Sequence, residues 1–168
     1  MPVAKVPHEL ELKLELASGP LPTRARIGQA LGADFAEPDR VEQVESLYFD
    51  TPEGRLRDHG VSFRLRRNGK RVLQTIKCID ASDLFERGEW ETDIARGEPD
   101  WKAAQRTDVG PLLTKRVRRA MKPLFTTRIR RTIYLLSTAR AKIELALDSG
   151  SILANGRSEP VQALELEL

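Results

Sequence analysis

Several segments of the sequence carry two charged residues of the same sign, separated by a single residue. In chain order these pairs are Glu9 and Glu11, Arg64 and Arg66, Glu89 and Glu91, Arg128 and Arg130, and Glu165 and Glu167. Paired carboxylates suit hard divalent cations such as Mg²⁺ or Mn²⁺. Paired guanidinium groups suit phosphate oxygens, which accept bidentate hydrogen bonds. Both kinds of pair in one cavity would bind a polyphosphate bridged by metal ions.

The spacing of these pairs is that of a β-strand, in which side chains two positions apart lie on the same face. The segment from His8 to Leu16 alternates charged residues with leucines, which predicts a strand with one charged and one apolar face. Other polar residues share a face with their neighbours by the same rule: Lys13 with Glu11, Thr75 with Lys77, and Lys142 with Glu144 and Asp148.

Strands are predicted along most of the chain. Val61–Arg67 and Arg71–Ile79 flank Asn68-Gly69-Lys70, and an Asn-Gly turn between two alternating segments predicts an antiparallel hairpin. The other predicted strands are Val41–Phe49, Leu84–Ala95, Leu124–Leu136, Ala141–Leu147, Ser151–Ala154 and Val161–Leu168. Helices are predicted over Thr23–Leu31 and within Pro99–Lys122, where Gly110-Pro111 interrupts the helical pattern. The sequence therefore predicts one α+β domain over residues 1–168 with a mainly antiparallel sheet.

The charged faces of these strands have two interpretations. In the simpler one they face water, as in a half-solvated antiparallel sheet. Like charges two positions apart argue against it, because a solvated face would gain by mixing signs. Helices are also available to cover the leucine faces from outside. The sheet could then close into a tunnel with its charged faces inward.

Composition and motifs exclude several other classes of protein. The 168 residues contain one cysteine, Cys78, and two histidines, which excludes an internal disulfide and a Cys-cluster or multi-histidine metal site. The Walker A and Gly-x-Gly-x-x-Gly phosphate-binding motifs do not occur. No apolar run reaches the ~18 residues that a spanning helix needs, and residues 1–11 lack the apolar core of a signal peptide. We expect a cytoplasmic protein with no membrane partner.

Eight short motifs, in order along the chain, make the sequence similar to the CYTH, or triphosphate tunnel metalloenzyme, superfamily. The first is Glu9-Leu10-Glu11-Leu12-Lys13, which matches the E-x-E-x-K hallmark of that family. The other resembling segments are residues 47–52 (LYFDTP), 63–66 (FRLR), 75–77 (TIK), 87–91 (RGEWE), 127–130 (TRIR), 144–150 (ELALDSG) and 164–167 (LELE).

The resemblance implies an eight-stranded antiparallel β-tunnel, a closed barrel with helices packed outside, that acts on a triphosphate with Mg²⁺ or Mn²⁺. The carboxylates expected to bind metal are Glu9, Glu11, Glu144, Asp148, Glu165 and Glu167. The residues expected to hold the triphosphate are Lys13, Arg64, Arg66, Lys77, Arg128, Arg130 and Lys142. The resemblance also implies a further helix after the last strand, which the sequence printed here does not include.

Such a site needs no covalent nucleophile. A water activated by the metal would attack the terminal phosphorus in line, while lysine and arginine stabilise the departing charge. We expect this water near Glu9 and Glu11, and we assign the catalytic role to these two residues and Lys13.

Four functions are compatible with this interpretation. The leading one is a metal-dependent triphosphatase acting on inorganic tripolyphosphate. Two others in the same superfamily are a class IV adenylate cyclase, which converts ATP to cyclic AMP, and a thiamine triphosphatase. The fourth is a non-catalytic module that binds polyphosphate or RNA, although the sequence lacks interleaved aromatic residues for base stacking, which disfavours nucleic acid. The sequence leaves the oligomeric state open.

Overall fold

Eight strands form the main part of the molecule. The computed structural model describes residues 8–16, 19–31, 37–79, 86–95, 97–137 and 142–168. Within these ranges the strands are β1 (His8–Glu15), β2 (Arg40–Asp50), β3 (Val61–Asn68), β4 (Arg71–Ile79), β5 (Glu86–Asp93), β6 (Lys122–Ser137), β7 (Lys142–Ala154) and β8 (Arg157–Glu167).

The strands form a closed antiparallel barrel in the order β1-β5-β4-β3-β2-β6-β7-β8. Strand β1 closes it by pairing with β8 on one side and with β5 on the other. The β1–β5 seam is short and runs from the pair His8–Gly88 to the pair Leu10–Glu86. The predicted antiparallel barrel is therefore confirmed.

Three short helices lie between the strands of the described chain. They are α1 (Arg24–Leu31), α2 (Trp101–Ala104) and α3 (Lys115–Ala120). Helix α2 begins after Asp100, whose carboxylate accepts hydrogen bonds from two backbone N–H groups, and helix α3 begins after Thr114, whose hydroxyl accepts one. Such caps satisfy the N–H groups that the first turn of a helix leaves without a partner. No described helix is both long and apolar enough to span a membrane.

The hydrophobic core lies between the barrel wall and these helices, not inside the barrel. Phe63 and Ile76 of the wall are almost fully buried and belong to one cluster with Ala104 of α2 and Val117 of α3. Trp90 and Trp101 also pack against this cluster.

Helix α1 covers a second part of the wall. Its Ile27 is buried in a cluster with Leu145 and Leu147 of β7. The prediction that helices cover the apolar faces from outside is confirmed for these two regions. On β1 the side chains of Leu10, Leu12 and Leu14 remain 40–51% exposed.

Two tight hairpins differ from the sequence-based prediction. In the first, Asn68 still pairs with Arg71, so the turn consists of Gly69 and Lys70, and only Gly69 needs a positive φ, of 58°. The second is Asn155-Gly156, with φ of 50° and 75°, and it joins β7 to β8. Asparagine and glycine tolerate this left-handed conformation better than other residues.

The prediction of separate strands over 141–147 and 151–154, and of a last strand beginning at Val161, was wrong. Strand β7 runs without a break from Lys142 to Ala154, and β8 already begins at Arg157. Gly150 falls in the gap between the two predicted strands, but it lies opposite Ile129 within the ladder. A Cβ at Gly150 would collide with the backbone oxygen of Arg128. This glycine therefore permits close approach of two strands and does not end one.

Phe63 offers a test of where the core lies. Its ring stacks on Trp101 and meets Phe49 edge-on, so Phe63→Ala should lower the free energy of unfolding by about 3–5 kcal/mol. Urea unfolding followed by circular dichroism measures this loss. Leu135→Ala, at a side chain that is 53% exposed, serves as the control and should cost less than about 1 kcal/mol. Equal losses for the two variants would contradict the placement of the core.

Candidate active site

The strand register brings at least one charged side chain from each of the eight strands to the inside of the barrel. Paired residues of neighbouring strands share a face, and the pairs Lys13–Glu165, Lys77–Glu89 and Arg131–Asp148 link the charged residues around the barrel. The central cavity has a volume of about 360 Å³. Its lining residues are Glu11, Lys13, Arg40, Tyr48, Ser62, Arg64, Arg66, Lys77, Glu89, Glu91, Arg131, Glu144, Glu165 and Glu167.

Two lysines of the interior are bound to carboxylates on other strands. The Lys13 ammonium lies 2.6 Å from a Glu165 oxygen. The Lys77 ammonium lies 3.1 Å from Glu11 and 2.6 Å from Glu89. Glu11 and Glu89 are both buried, and the positive charge of Lys77 offsets the cost of burying their carboxylates.

Arg131 is a site residue that the sequence analysis missed. Its Nε and Nη2 donate to the two oxygens of Asp148 at 2.8 and 2.6 Å, and Nη2 also donates to Glu165. Although burial alone would lower the pKa of Arg131, these two carboxylates raise it. Arg131 is therefore a permanent positive charge on the inner face of β6.

Arg128 and Arg130, predicted to hold the triphosphate, lie on the outer face of β6 and are exposed. Arg128 pairs across the sheet with Glu45 and donates to it at 2.8 Å, while Arg130 pairs with Gln43. The assignment of these two arginines to the interior was wrong. The error has a physical cause: β6 is apolar on both faces, with Ile129 and Ile133 on one and Tyr134 on the other. Only the contact of Tyr134 with the cluster beneath α1 distinguishes the faces.

Arg64 and Arg66 lie side by side on the inner face of β3 with little anionic compensation. Arg64 Nη1 donates to the Tyr48 hydroxyl at 3.2 Å, and its buried Nε has no hydrogen-bond partner among the described residues. Arg66 approaches Glu42 only to 3.9 Å. The pKa of Arg66 is lowered from its ordinary value, first by burial and then by repulsion from Arg64 and Arg131. This group of arginines is suited to bind an anion.

The remaining predicted residues are placed less centrally, or are not described in full. Glu144 lines the cavity, but one oxygen accepts a hydrogen bond from Arg40 at 2.8 Å. Lys142 is exposed at the first position of β7. Glu9 lies opposite Arg87 in the β1–β5 seam, and its side chain is outside the described part of the structure.

The interior carboxylates have the donor chemistry that Mg²⁺ and Mn²⁺ require. Glu11 faces Glu167 across β1 and β8, and Glu165 lies two positions away on the same face. Oxygen donors of this kind fit hard divalent cations. Within the described ranges, however, no three Asp, Glu, His or Cys side chains converge on one point. Lysine and arginine instead occupy the space beside these carboxylates.

A second cavity, of about 590 Å³, opens at one end of the barrel and is mainly aromatic and apolar. Tyr48, stacked on Phe125 at 4.5 Å between ring centroids, lines both this cavity and the space beside Arg64 and Arg131. Ser62 and Lys77 line both this cavity and the central one. The two cavities therefore meet at Tyr48, Ser62 and Lys77.

The loop 51–60 forms one wall of the aromatic cavity, and Asp50 sets its shape. The buried carboxylate of Asp50 accepts hydrogen bonds from the backbone N–H groups of Thr51, Leu56 and Arg57 at 2.6, 2.8 and 3.0 Å. Three such bonds satisfy backbone groups that a tight loop would otherwise bury without partners. This contact explains the aspartate of the 47–52 motif as a structural residue.

Comparison with known proteins places this geometry in a recognised group. The family model described as "CYTH domain" matches residues 7–168. A candidate adenylate cyclase from Bacillus halodurans has a similar solved structure, with a TM-score of 0.58, 17% identity, and 95% of this chain and 80% of that chain covered.

Two further solved structures share the fold. One is HpAC1 from Hippeastrum, a candidate adenylyl cyclase described as having a dominant triphosphatase activity, with a TM-score of 0.59, 17% identity, and coverage of 96% of this chain and 79% of that one. The other is PH1819 from Pyrococcus horikoshii, with a TM-score of 0.55, 22% identity, and coverage of 95% and 76%.

Glu165 should make the stability of the protein depend on acid pH. Burial raises the pKa of this carboxyl, but Arg131 and Lys13 together lower it from 4.5 to about 2. A carboxyl with a lowered pKa stabilises the fold above its unfolded pKa and loses this contribution as pH falls through the folded pKa. We expect about 3 kcal/mol from this group at pH 7, lost between about pH 4.5 and pH 2.

Urea unfolding of the wild type and Glu165→Gln at several pH values, in EDTA, isolates this contribution. The wild type should be more stable at pH 7, and the difference should shrink steadily as pH falls from about 4.5 toward 2. A difference that does not change with pH would contradict the assigned ion pairs.

Proposed function

Because the chain belongs to the CYTH family, we propose that it is a divalent-metal-dependent triphosphatase that works inside the barrel. We propose inorganic tripolyphosphate as its substrate. The observation that carries the proposal is the joining of two opposite charge groups in one closed interior. Arg64, Arg66 and Arg131 form the basic group, and the carboxylates around Glu11 and Glu165 form the acidic one.

The basic group supplies the phosphate-binding part of the site. Arg64 has a buried Nε without a partner in the described chain, and Arg66 is held near two other guanidinium groups. An anion with several oxygens would satisfy the first and relieve the repulsion at the second. A linear triphosphate carries enough oxygens to contact both arginines and Arg131.

The acidic group supplies the candidate metal ligands. Glu11 of β1 and Glu165 and Glu167 of β8 would hold the metal ion. Glu9, two positions before Glu11 on β1, is a further candidate ligand. A bound divalent cation lowers the pKa of water and neutralises charge on the phosphate oxygens. The carboxylates also orient Lys13 and Lys77 through the ion pairs already described.

Lys13 and Lys77 are placed to stabilise the charge that develops on the leaving phosphate. Both ammonium groups line the same cavity as Arg64 and Arg66. Preorganised cations in a cavity shielded from bulk water stabilise such charge more than they would in solution. The proposed reaction is therefore a direct attack by water and needs no protein nucleophile.

A second candidate function is supported by the aromatic cavity. Its 590 Å³ and its lining by Tyr48, Phe125 and Leu124 would accommodate an organic group attached to the triphosphate. Adenylate cyclisation of ATP and hydrolysis of thiamine triphosphate are the two reactions of this kind. The described triphosphatase activity of the Hippeastrum protein, which shares the fold, favours hydrolysis of the two.

One assay separates these functions. Phosphate release is measured from tripolyphosphate, ATP, thiamine triphosphate and pyrophosphate, each with Mg²⁺, Mn²⁺ or EDTA, with cyclic AMP measured in the ATP samples. Metal-dependent turnover of tripolyphosphate above the others supports the proposal, and cyclic AMP formation supports the cyclase. Tight polyphosphate binding without turnover would contradict both and favour a binding module.

We place the activity in the reducing cytoplasm, consistent with the single cysteine.

The two faces of β6 provide a matched pair of variants. Arg131→Ala should reduce kcat/KM for tripolyphosphate at least 100-fold, since it removes an interior cation and leaves Asp148 buried without its partner (a loss of about 2.7 kcal/mol or more). Arg128→Ala removes an outer-face arginine and should change kcat/KM less than about twofold. A larger effect at Arg128 than at Arg131 would contradict the assignment of faces.

Variants of the acidic group and of the basic group should change different steady-state parameters, turnover in the first case and KM in the second. Glu11→Gln and Glu165→Gln should each abolish metal-dependent turnover while the circular dichroism spectrum stays unchanged, because both remove a candidate metal ligand. Arg66→Ala should mainly raise KM, since Arg66 contacts the substrate in the ground state as well as in the transition state. Turnover near the wild-type rate in both glutamine variants would overturn the metal assignment.

A further inference from the structure

In this structure, two lysines assigned to the phosphates form ion pairs with two carboxylates assigned to the metal. Lys77 lies 3.1 Å from Glu11, and Lys13 lies 2.6 Å from Glu165. Three of the four ion-paired side chains are shielded from solvent, since Glu11 is 7% exposed, Lys77 20% and Glu165 12%, whereas Lys13 is 36% exposed. Each lysine therefore occupies the position beside a carboxylate that a metal ion would need. Each carboxylate likewise occupies the position beside a lysine that a phosphate oxygen would need.

The cations of the interior are not all paired with carboxylates to the same degree. Arg66 approaches its closest described carboxylate, Glu42, only to 3.9 Å, and Arg64 donates to a neutral hydroxyl. An incoming phosphate chain thus meets two arginines with little carboxylate compensation. It also meets Lys13 and Lys77, whose charge is already matched by the acidic group.

We propose that the ion pairs Lys77–Glu11 and Lys13–Glu165 couple the binding of the divalent cation to the binding of the triphosphate. This inference rests on the proposed function, because it assumes the roles assigned to the two groups there. A cation bound at Glu11 and Glu165 takes one carboxylate partner from each lysine, which makes Lys13 and Lys77 more available to phosphate oxygens even though Lys77 keeps Glu89. A triphosphate bound at the lysines releases the carboxylates for the cation.

The coupling works in both directions. A ligand that breaks an interior ion pair must replace the interaction of the partner left behind, because an unpaired buried charge is strongly unfavourable. The second ligand supplies that replacement, so each ligand binds more tightly when the other is present. Linkage requires the two effects to be equal in magnitude. The two ion pairs meanwhile neutralise the four side chains that form them, which disfavours the binding of either ligand alone.

The first test measures Mn²⁺ binding by electron paramagnetic resonance with no phosphate present. In Lys77→Met, Glu11 and Glu89 both lose a competing cation, so the Kd for Mn²⁺ should fall about tenfold relative to the wild type. Lys13→Met should act in the same direction through Glu165, which keeps Arg131 as a partner, and it provides a second variant if the first folds poorly. An unchanged or weaker Mn²⁺ affinity in both variants would overturn the proposal.

Two controls separate the ion pairs from a general effect of charge. Lys70→Met removes a positive charge from the exposed β3–β4 turn. Arg66→Met removes a positive charge from the interior that is not bound to Glu11 or Glu165. Both should shift the Mn²⁺ Kd less than about twofold. A shift of the Mn²⁺ Kd in Arg66→Met as large as in Lys77→Met would show that the total charge of the interior controls Mn²⁺ binding. That result would overturn the specific role of the ion pairs.

The reciprocal test measures tripolyphosphate binding by calorimetry in EDTA. Glu11→Gln removes one of the two carboxylates that hold Lys77, the other being Glu89, and should tighten binding severalfold, although the same variant is expected to lose turnover. Glu45→Gln, which frees Arg128 on the outer face, is the matched control and should leave the affinity unchanged. Weaker or unchanged binding in Glu11→Gln would overturn the proposal.

These measurements are independent of the reaction assay. Metal-dependent turnover together with unaltered Mn²⁺ affinity in both lysine variants would overturn the coupling and leave the proposed triphosphatase intact. Coupled binding without turnover of any triphosphate would support the coupling and overturn the triphosphatase.

Discussion

The alternation of side chains in a closed antiparallel barrel is the constraint on which the rest of the structure depends. Every strand must turn one set of side chains inward, and closure leaves no sheet edge on which hydrogen-bonding groups stay unpaired. Here the inward set holds most of the paired charges and the outward set holds the apolar clusters, which reverses the usual arrangement of a small barrel. The hydrophobic core consequently forms outside the wall, where Phe63 and Leu145 meet the helices.

An interior of this kind has to satisfy its own charges. Lys77 bridges Glu11 and Glu89, and Arg131 bridges Asp148 and Glu165, so most buried carboxylates have a cation beside them. Desolvation offsets much of the attraction within such buried ion pairs. In the proposed function, the pairs hold donors and acceptors in position for a ligand that carries both signs of charge. Arg64 and Arg66, which lack such matching, mark the place where the anion would bind.

The sequence predicted most of the strands because their alternation is regular. Residues 8–15 and 61–79 required only the leucine spacing and the Asn68-Gly69 dipeptide to be assigned correctly. The errors occurred where the local sequence fits two structures equally well. Gly150 falls between two predicted strands, but it allows close packing within one continuous strand. The arginines at 128, 130 and 131 could not be assigned to a face, because β6 is apolar on both faces.

Local spacing in the sequence predicted antiparallel strands with paired acidic and basic residues, and the ordered motifs indicated the family and, through that resemblance, the closed barrel. The tertiary structure alone decided which charges meet. Pairing of β1 with β8 brings Lys13 to Glu165, and pairing of β6 with β7 brings Arg131 to Asp148, across separations of 152 and 17 residues in the chain. The cross-strand register fixes such contacts, and a shift of one residue would exchange the two faces of a strand.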